Sequence, residues 1–292
     1  MALDAELVGT ATEPYVGDVD ERWTMSYAAG LGDMLDCYLD TRRPEGVIAH
    51  PLFPVCLEWP TALLLRAKHR EKMSAAEAAR GVHATHHTII HRALRPPERV
   101  TTRAVIVGIE QRKPGALEVT RFDTIDEKGL PICTTYTGNI YRQVEIAGDE
   151  RPAPMPDAPA PKTTPVRPRT ELRVPISANA AHVYTECARI WNPIHTDAKV
   201  AAAAGLPAIM LHGTATLAYA VSRIIAIDAA NDPTRVAEIY GRFGAMVFMP
   251  SELTVRIMSR EKMDDGREAI FFEALSSEGG RAVRDGAVIL GA

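Results

Sequence analysis

The stretch RPAPMPDAPAPKTTPVRP, residues 151–168, holds seven prolines in eighteen positions. Proline fixes its own φ, offers no N–H, and pushes the residue before it out of the helical region. Such a run cannot lie inside a helix or a sheet. It runs extended, in a polyproline-like form, as a semi-rigid spacer. It cuts the 292-residue chain into 1–148 and 169–292, with a linker at 149–168 between them. Each part has the size of one domain.

The two parts share an order of elements. In the second, Ser177 is placed as the N-cap of a helix over about 178–188. A turn, ARIWNPIHTD, follows, then the Ala-rich DAKVAAAAG, closed by Gly205. LPAIMLHG leads into TATLAYAVSRIIAID, an apolar helix from about 213 to 227 that must be wrapped rather than merely docked. Four strand-like runs close the half: VAEIYGRFGAMVF, ELTVRIMSR, EAIFFEALSS and AVRDGAVILG. In the first part, WTMSYAAGLGDMLDCYL is a helical region and AHPLFPVCLEWP an extended lead-in. TALLLRAKHREKM is a helix, and VHATHHTIIHR, VTTRAVIVGIEQR, ALEVTRFDTID and ICTTYTGNIYR are strands rich in Thr, Val and Ile. A helix before four antiparallel strands, twice over, predicts an α+β protein of two curved sheets, each around a long helix. Pairing the sheets edge to edge hides two edges.

Composition narrows the function classes. Residues are 46% apolar, enough for a sizeable core, and 33 basic against 37 acidic side chains give a net charge of −4 with no long like-charge block. That balance points away from nucleic acid and membrane surfaces. Cys37, Cys56, Cys133 and Cys187 form no CxxC pair, as expected of free thiols in a reducing compartment. The N-terminal MALDAELVGTATEPYVGD is acidic and lacks the apolar run of a secretory signal, and no segment has the roughly 20 apolar residues of a membrane span. A soluble cytoplasmic protein is the expectation.

His195 is the first candidate for chemistry. Pro193 stiffens the turn and holds Asn192 extended, so the imidazole leaves in a defined direction, as a base requires. Gly213 opens the long helix, where N–H groups lack helical partners and the dipole is positive, and having no side chain it lets a carbonyl oxygen approach. HATHHTIIH would gather histidines on a helix, but its Thr and Ile favour a strand, which puts His83 and His87 on one face about 13 Å apart. One zinc cannot bridge that, so no metal is expected. Cys187 lacks a basic partner at fixed spacing. Arg242, Arg256 and Arg260 are weak candidates for phosphate contacts.

NPIHTD, then AGLPAIMLHG before an apolar helix, then YGRFGAMVFMPSELTVRI, resembles the MaoC-like, R-specific enoyl-CoA hydratase family of hotdog proteins. GVHATHHTIIHRALRPPERVTT resembles the matching strand of the degenerate first hotdog in two-hotdog members. The resemblance implies a double hotdog, acyl thioesters carried on coenzyme A or a carrier protein, and reversible addition of water across an α,β double bond. Coenzyme A enters as part of the substrate, with no separate cofactor. The active histidine falls on His195, the motif asparagine on Asn192, and the amide that polarises the thioester carbonyl on Gly213; Ile190 and Trp191 are placed against the substrate. The family's Gly-Asp-x before Asn-Pro-x-His is here Arg189, Ile190 and Trp191. An alkyl group thus stands where an Asp pairs with the histidine, and half of a cooperating pair is missing. Glu186, Asp33 and Asp36 are the carboxylates to test as substitutes; Asp197 stands where family members also have an acid and compensates for nothing. His212 is expected to pack locally, Asn192 to bond its own turn, and Trp191 to be a lid or buried packing. The expected activity is that of a hydratase or dehydratase. The alternatives are an acyl-thioester-binding or scaffold subunit without chemistry, and a hotdog thioesterase. A homodimer is a further expectation.

Overall fold

The computed structural model describes residues 2–69, 73–163 and 165–291. Its elements in the first half are β1 (Leu3–Asp4), β2 (Tyr15–Val19), α1 (Glu21–Gly30), α2 (Asp36–Leu39), α3 (Val55–His69), α4 (Ala75–Ala78), β3 (Gly81–Ile90), β4 (Glu98–Arg112), β5 (Gly115–Asp126), β6 (Pro131–Arg142) and β7 (Ile146–Ala147). In the second half they are β8 (Thr170–Ile176), α5 (Ala180–Ala188), α6 (Ala198–Ala203), α7 (Gly213–Asp228), β9 (Val236–Phe243), β10 (Ser251–Lys262), β11 (Glu268–Leu275) and β12 (Arg281–Leu290). No described helix is long and apolar enough to cross a membrane.

Ten strands form one sheet in the order β2-β4-β5-β6-β3-β9-β12-β11-β10-β8. Read from either edge, each half gives the same permutation of its own strands. The seam is the antiparallel pair β3·β9, with His87 opposite Tyr240 and Thr85 opposite Arg242. The expected edge-to-edge pairing is therefore present. Each half also has a fifth strand beyond the four expected, β2 and β8; both are short, and they close the two outer edges.

α7 is wrapped as its composition demands. Leu217, Ala218, Val221, Ile224 and Ile225 are fully buried and pack in one cluster with Val255, Ile257, Ile270, Phe272, Val283 and Val288 of the surrounding strands. The same cluster continues into Trp23, Tyr27, Phe53 and Leu57 of the first half. α1 and α5 lie close because Gly30 faces Cys187; a Cβ on Gly30 would sit 2.9 Å from its Sγ.

Several boundaries differ from expectation. The second-half helix begins at Ala180 with Asn179 as its cap, and the Ser177 hydroxyl bonds the Asn179 side chain instead. The 23–39 region is two helices separated by a turn at Gly32, whose φ is 65°. The lead-in AHPLFPVCLEWP is helical from Val55, with Pro60 inside the helix. Burial of Val55, Cys56 and Leu57 outweighs the proline's lost N–H. Residues 70–72 of the expected helix over TALLLRAKHREKM lie outside the described residues.

The proline-rich strap crosses the sheet. Arg151 pairs with Ile109 of β4, and the Lys162 N–H donates to Glu261 of β10. β4 and β10 are seven strand spacings apart, or about 34 Å at ~4.8 Å each. The strap from Arg151 to Lys162, at ~3.1 Å per residue, also reaches about 34 Å. The strap bends once on the way, where Met155 N–H donates to the Ala153 carbonyl at 3.0 Å. It ends on Arg169, whose guanidinium holds the buried Asp228 carboxylate of α7 at 2.5 and 2.6 Å.

Candidate active site

α5 stops at Arg189, which sits in the left-handed region at φ 57° and ψ 35°. A non-glycine residue there costs about 1 kcal/mol, which gives a physical reason for the glycine of the resembled motif. Arg189 places its guanidinium 3.9 Å over the Trp23 ring, an offsetting cation–π contact. The chain then folds tightly on itself: Ile190 N–H donates to Thr185 O, Asn192 N–H to Ile190 O, and His195 N–H to Asn192 O. Pro193 opens a single 3-10 turn that ends on His195.

His195 is only 9% exposed. Its Nδ1 is 2.9 Å from the Met210 carbonyl oxygen. A carbonyl only accepts, so Nδ1 carries the proton and Nε2 presents a lone pair. Burial pushes the imidazole pKa down to about 4; the charge of Arg66 lowers it further and the Met210 bond opposes. The ring is therefore a neutral base near pH 7. It stacks on His212, with centroids 3.7 Å apart and planes at 29°. His212 is in turn fixed by Thr185 Oγ1 at 3.3 Å, and burial, then His195, depress its pKa to about 2.

Gly213 follows His212 and begins α7. Its N–H has no acceptor among the described residues. A Cβ at this position would lie 3.2 Å from the Phe243 ring, so glycine is what allows Phe243 to pack beneath the amide. The His195 imidazole thus lies against the residue adjacent to a free amide at a helix N-terminus. Behind it, Tyr184 donates to Thr214 Oγ1, and Tyr27 and Tyr184 hydroxyls meet at 3.3 Å. These contacts clamp the start of α7 to both α1 and α5.

Ile190 is 6% exposed and packed in the main core. None of the proposed substitute acids reaches the imidazole. Glu186 and Asp36 are exposed, and Asp197 caps α6 through the Lys199 and Val200 N–H groups. Asp33 is buried and lies near Ser222 of α7; nine residues of helix put that about 13 Å from Gly213. Trp191 is 60% exposed, so it is not core packing. Asn192 makes no side-chain cap bond to its own turn, which leaves its amide available beside His195. Arg242, Arg256 and Arg260 are each paired with carboxylates: Asp285; Glu171 and Glu273; Glu268 and Asp228. Cys187 is a free thiol whose carbonyl accepts from the Trp23 indole.

β3 is a strand, as its Thr and Ile residues indicate, but a bulge between His83 and Thr85 changes which histidines share a face. His83 and His86 come together, with ring centroids 5.5 Å apart, while His87 turns to Glu238 at 2.7 Å. Regular alternation pairs His83 with His87; one extra residue in the strand undoes it. His83 packs edge-on against Phe243 at 4.7 Å and so joins the neighbourhood of Gly213 from the first half. Nothing in the strand's composition signals the bulge. A cleft of about 540 Å³ opens elsewhere, at the far end of α7 between Arg43, Arg95 and Asp232.

Fold and site together define a double hotdog: two helix-wrapped half-sheets, with one imidazole and one free helix-terminal amide at the start of the second wrapped helix. Residues 160–279 match the MaoC like domain, and residues 6–135 match a FAS1-like, dehydratase domain region. It is 26% identical, over 99% of its own length and 98% of the relative's, to the 3-hydroxyacyl-thioester dehydratase Y of Mycobacterium tuberculosis. A 68-residue segment is 43% identical to the peroxisomal enoyl-CoA hydratase 2 of Arabidopsis thaliana, covering 23% of this chain and 22% of that one. Among solved structures, a MaoC-like dehydratase from Phytophthora capsici superposes with a TM-score of 0.80 at 20% identity, over 97% and 96% of the two chains.

Proposed function

We propose that the chain is an acyl-thioester hydratase/dehydratase acting at the His195–Gly213 site. The observation that carries this reading is the pairing of a neutral, lone-pair-bearing Nε2 with an unsatisfied helix-terminal N–H one residue from the ring on which His195 stacks. In the hydration direction the thioester carbonyl oxygen accepts from Gly213 N–H. Asn192 orients the thioester or the water beside it. Water adds its oxygen to Cβ and gives a proton to His195 Nε2, while the electron pair of the double bond moves onto the carbonyl oxygen. That enolate is stabilised by the amide and the positive end of the α7 dipole. The imidazolium then returns the proton to Cα, so that no second acid is consumed. Dehydration is the reverse.

Ile190 favours one second reading. With an alkyl group where the resembled family has its acid, the chain would bind acyl thioesters without turning them over. A panel of enoyl-CoA and 3-hydroxyacyl-CoA thioesters separates the two, followed by the absorbance of the conjugated double bond. Change in that absorbance without thiol release supports the hydratase. Binding without change supports the binder. Thiol release instead would replace both with a thioesterase.

A further inference from the structure

The helix that launches the His195 turn is finished from the other half of the molecule. The last carbonyls of a helix lack partners within it. At the end of α5 the chain supplies some itself: Thr185 O accepts from Ile190 N–H, and Glu186 O from Arg189 N–H. The Cys187 carbonyl is taken from outside, by the indole N–H of Trp23 on α1 at 3.1 Å. The face of the same indole carries the Arg189 guanidinium at 3.9 Å. One side chain of the first half thus holds the end of α5 at two points, with its donor edge and with its π face.

Trp23 is itself fixed. It is buried, its backbone N–H donates to the Asp20 side chain at 2.7 Å, and its ring meets Phe53 edge to face with centroids 5.0 Å apart. What it holds is the base of the site. Ile190 N–H bonds Thr185 O, Asn192 N–H bonds Ile190 O and His195 N–H bonds Asn192 O, so the turn hangs step by step from the last turn of α5. The Thr185 side chain also meets His212 Nε2, and His212 stacks on His195. Imidazole and turn therefore share one anchor. Arg189 is the joint between them, in the left-handed region where a side chain crowds the following carbonyl. Glycine would adopt that conformation freely but has nothing to lay on the indole.

We infer that Trp23 and Arg189 are positioning residues for His195: docked together, they fix the α5 terminus and so the direction of His195 Nε2. The inference rests on the hydratase/dehydratase reading of the His195–Gly213 site and adds to it a residue of the first half that lies outside the motif. Neither side chain exchanges a proton, since the indole N–H only donates and the guanidinium stays charged. Their effect is geometric, and displacing a catalytic group by about 1 Å can cost a hundredfold in rate. The first half carries the indole and the second half the base, so the docking of the two halves sets the site.

Two variants of the full-length chain test this. Arg189→Gln keeps a side chain at the left-handed position and removes the cation; Trp23→Phe keeps a ring face and removes the indole donor. Each should lower kcat for enoyl-thioester hydration about tenfold at nearly unchanged KM. Arg189→Lys, which returns a cation to the ring, should restore most of the loss. If the pair only stabilises the fold, Arg189→Gln lowers the melting temperature and leaves kcat within about twofold of wild type, and that result overturns the inference. Nitrogen-15 NMR of labelled histidine gives a second reading that needs no substrate. In the unaltered protein His195 Nδ1 is protonated towards Met210 and Nε2 is bare. In Arg189→Gln the two resonances should move towards each other, as the ring samples both tautomers. Should the unaltered protein turn over no thioester, the hydratase reading falls and the resonances decide: movement keeps Trp23 and Arg189 as the hold on the imidazole, and no movement overturns it. Arg189 is exposed, so the comparison of Gln with Lys at this position decides the matter even where Trp23→Phe fails to fold.

Discussion

At the scale of single residues, the site depends on which atom carries a proton. In the proposed reaction His195 can act as a base because the Met210 carbonyl holds the hydrogen on Nδ1 and leaves Nε2 bare. His195→Ala should lower kcat/KM for enoyl-thioester hydration by about a hundredfold or more, the usual range for a lost general base, with the melting temperature little changed. A variant with wild-type rate would remove His195 from the reaction. Ile190→Asp makes the opposite prediction at a cost. The new carboxylate beside His195 should raise the hydration rate by about tenfold or more, since paired groups act as a unit. Position 190 is almost fully buried, so placing a carboxylate there should cost about 1–3 kcal/mol of stability. Rate and urea midpoint measured on the same sample check both. A slower and less stable protein would mean that residue 190 faces the core alone.

At the scale of elements, the strap is the device most open to test. Removing Pro156, Asp157 and Ala158 shortens it by about 9 Å. Either the Ile109–Arg151 pairing or the Lys162–Glu261 contact should then open. Losing the two backbone hydrogen bonds of the Ile109–Arg151 pairing should cost about 1–3 kcal/mol, read as a drop of a few degrees in melting temperature. Replacing the same three residues with Gly-Ser-Gly keeps the length and should cost much less; equal losses would show that stiffness rather than reach matters. The strap was legible because proline density admits one conformation. The core strands were legible too, through their β-branched runs. What escaped had no local signal. β2 is the five-residue YVGDV, too short to alternate visibly, and it exists because β4 offers it a partner. AHPLFPVCLEWP read as an extended lead-in, yet its second half is helical through Pro60, where Val55, Cys56 and Leu57 are buried. The His83 bulge, and with it the pairing of His83 with His86, follows from β6 across the sheet. His195, Asn192 and Gly213 were legible as a motif, whereas the hold of Trp23 on the end of α5 needed coordinates.

At the scale of the whole molecule, the buried histidines make folding sensitive to acid. Burial holds His50 at about 3, His83 and His195 at about 4 and His212 at about 2, and pushes His86 well below its ordinary value of 6.5. In the unfolded chain all five regain that ordinary value. Above pH 6.5 both states are unprotonated and the histidines leave stability unchanged. As pH falls from about 6.5 towards 4, the unfolded chain takes up protons that the folded one refuses, so stability falls. Each such group contributes about 1.4 kcal/mol per pH unit. Glu58 works the other way. Its folded pKa of about 7 lies above the ordinary 4.5, so the folded state holds the extra proton between those values and gains stability on acidification. Asp33, also raised by burial, acts in the same sense. The imidazoles held down by burial outnumber the carboxyls held up, so acidification over this range gives a net loss of stability. The urea midpoint should therefore drop steeply between pH 6 and 4.5. His50 isolates one imidazole outside the site: its Nδ1 accepts from Leu52 N–H and its Nε2 meets Ser222, so protonation must break the Leu52 bond. His50→Gln, which cannot titrate, should make the slope shallower by about 1.4 kcal/mol per pH unit. A midpoint that stays level or rises on acidification would mean that these rings are already charged in the native protein, and His195 could then not serve as the base.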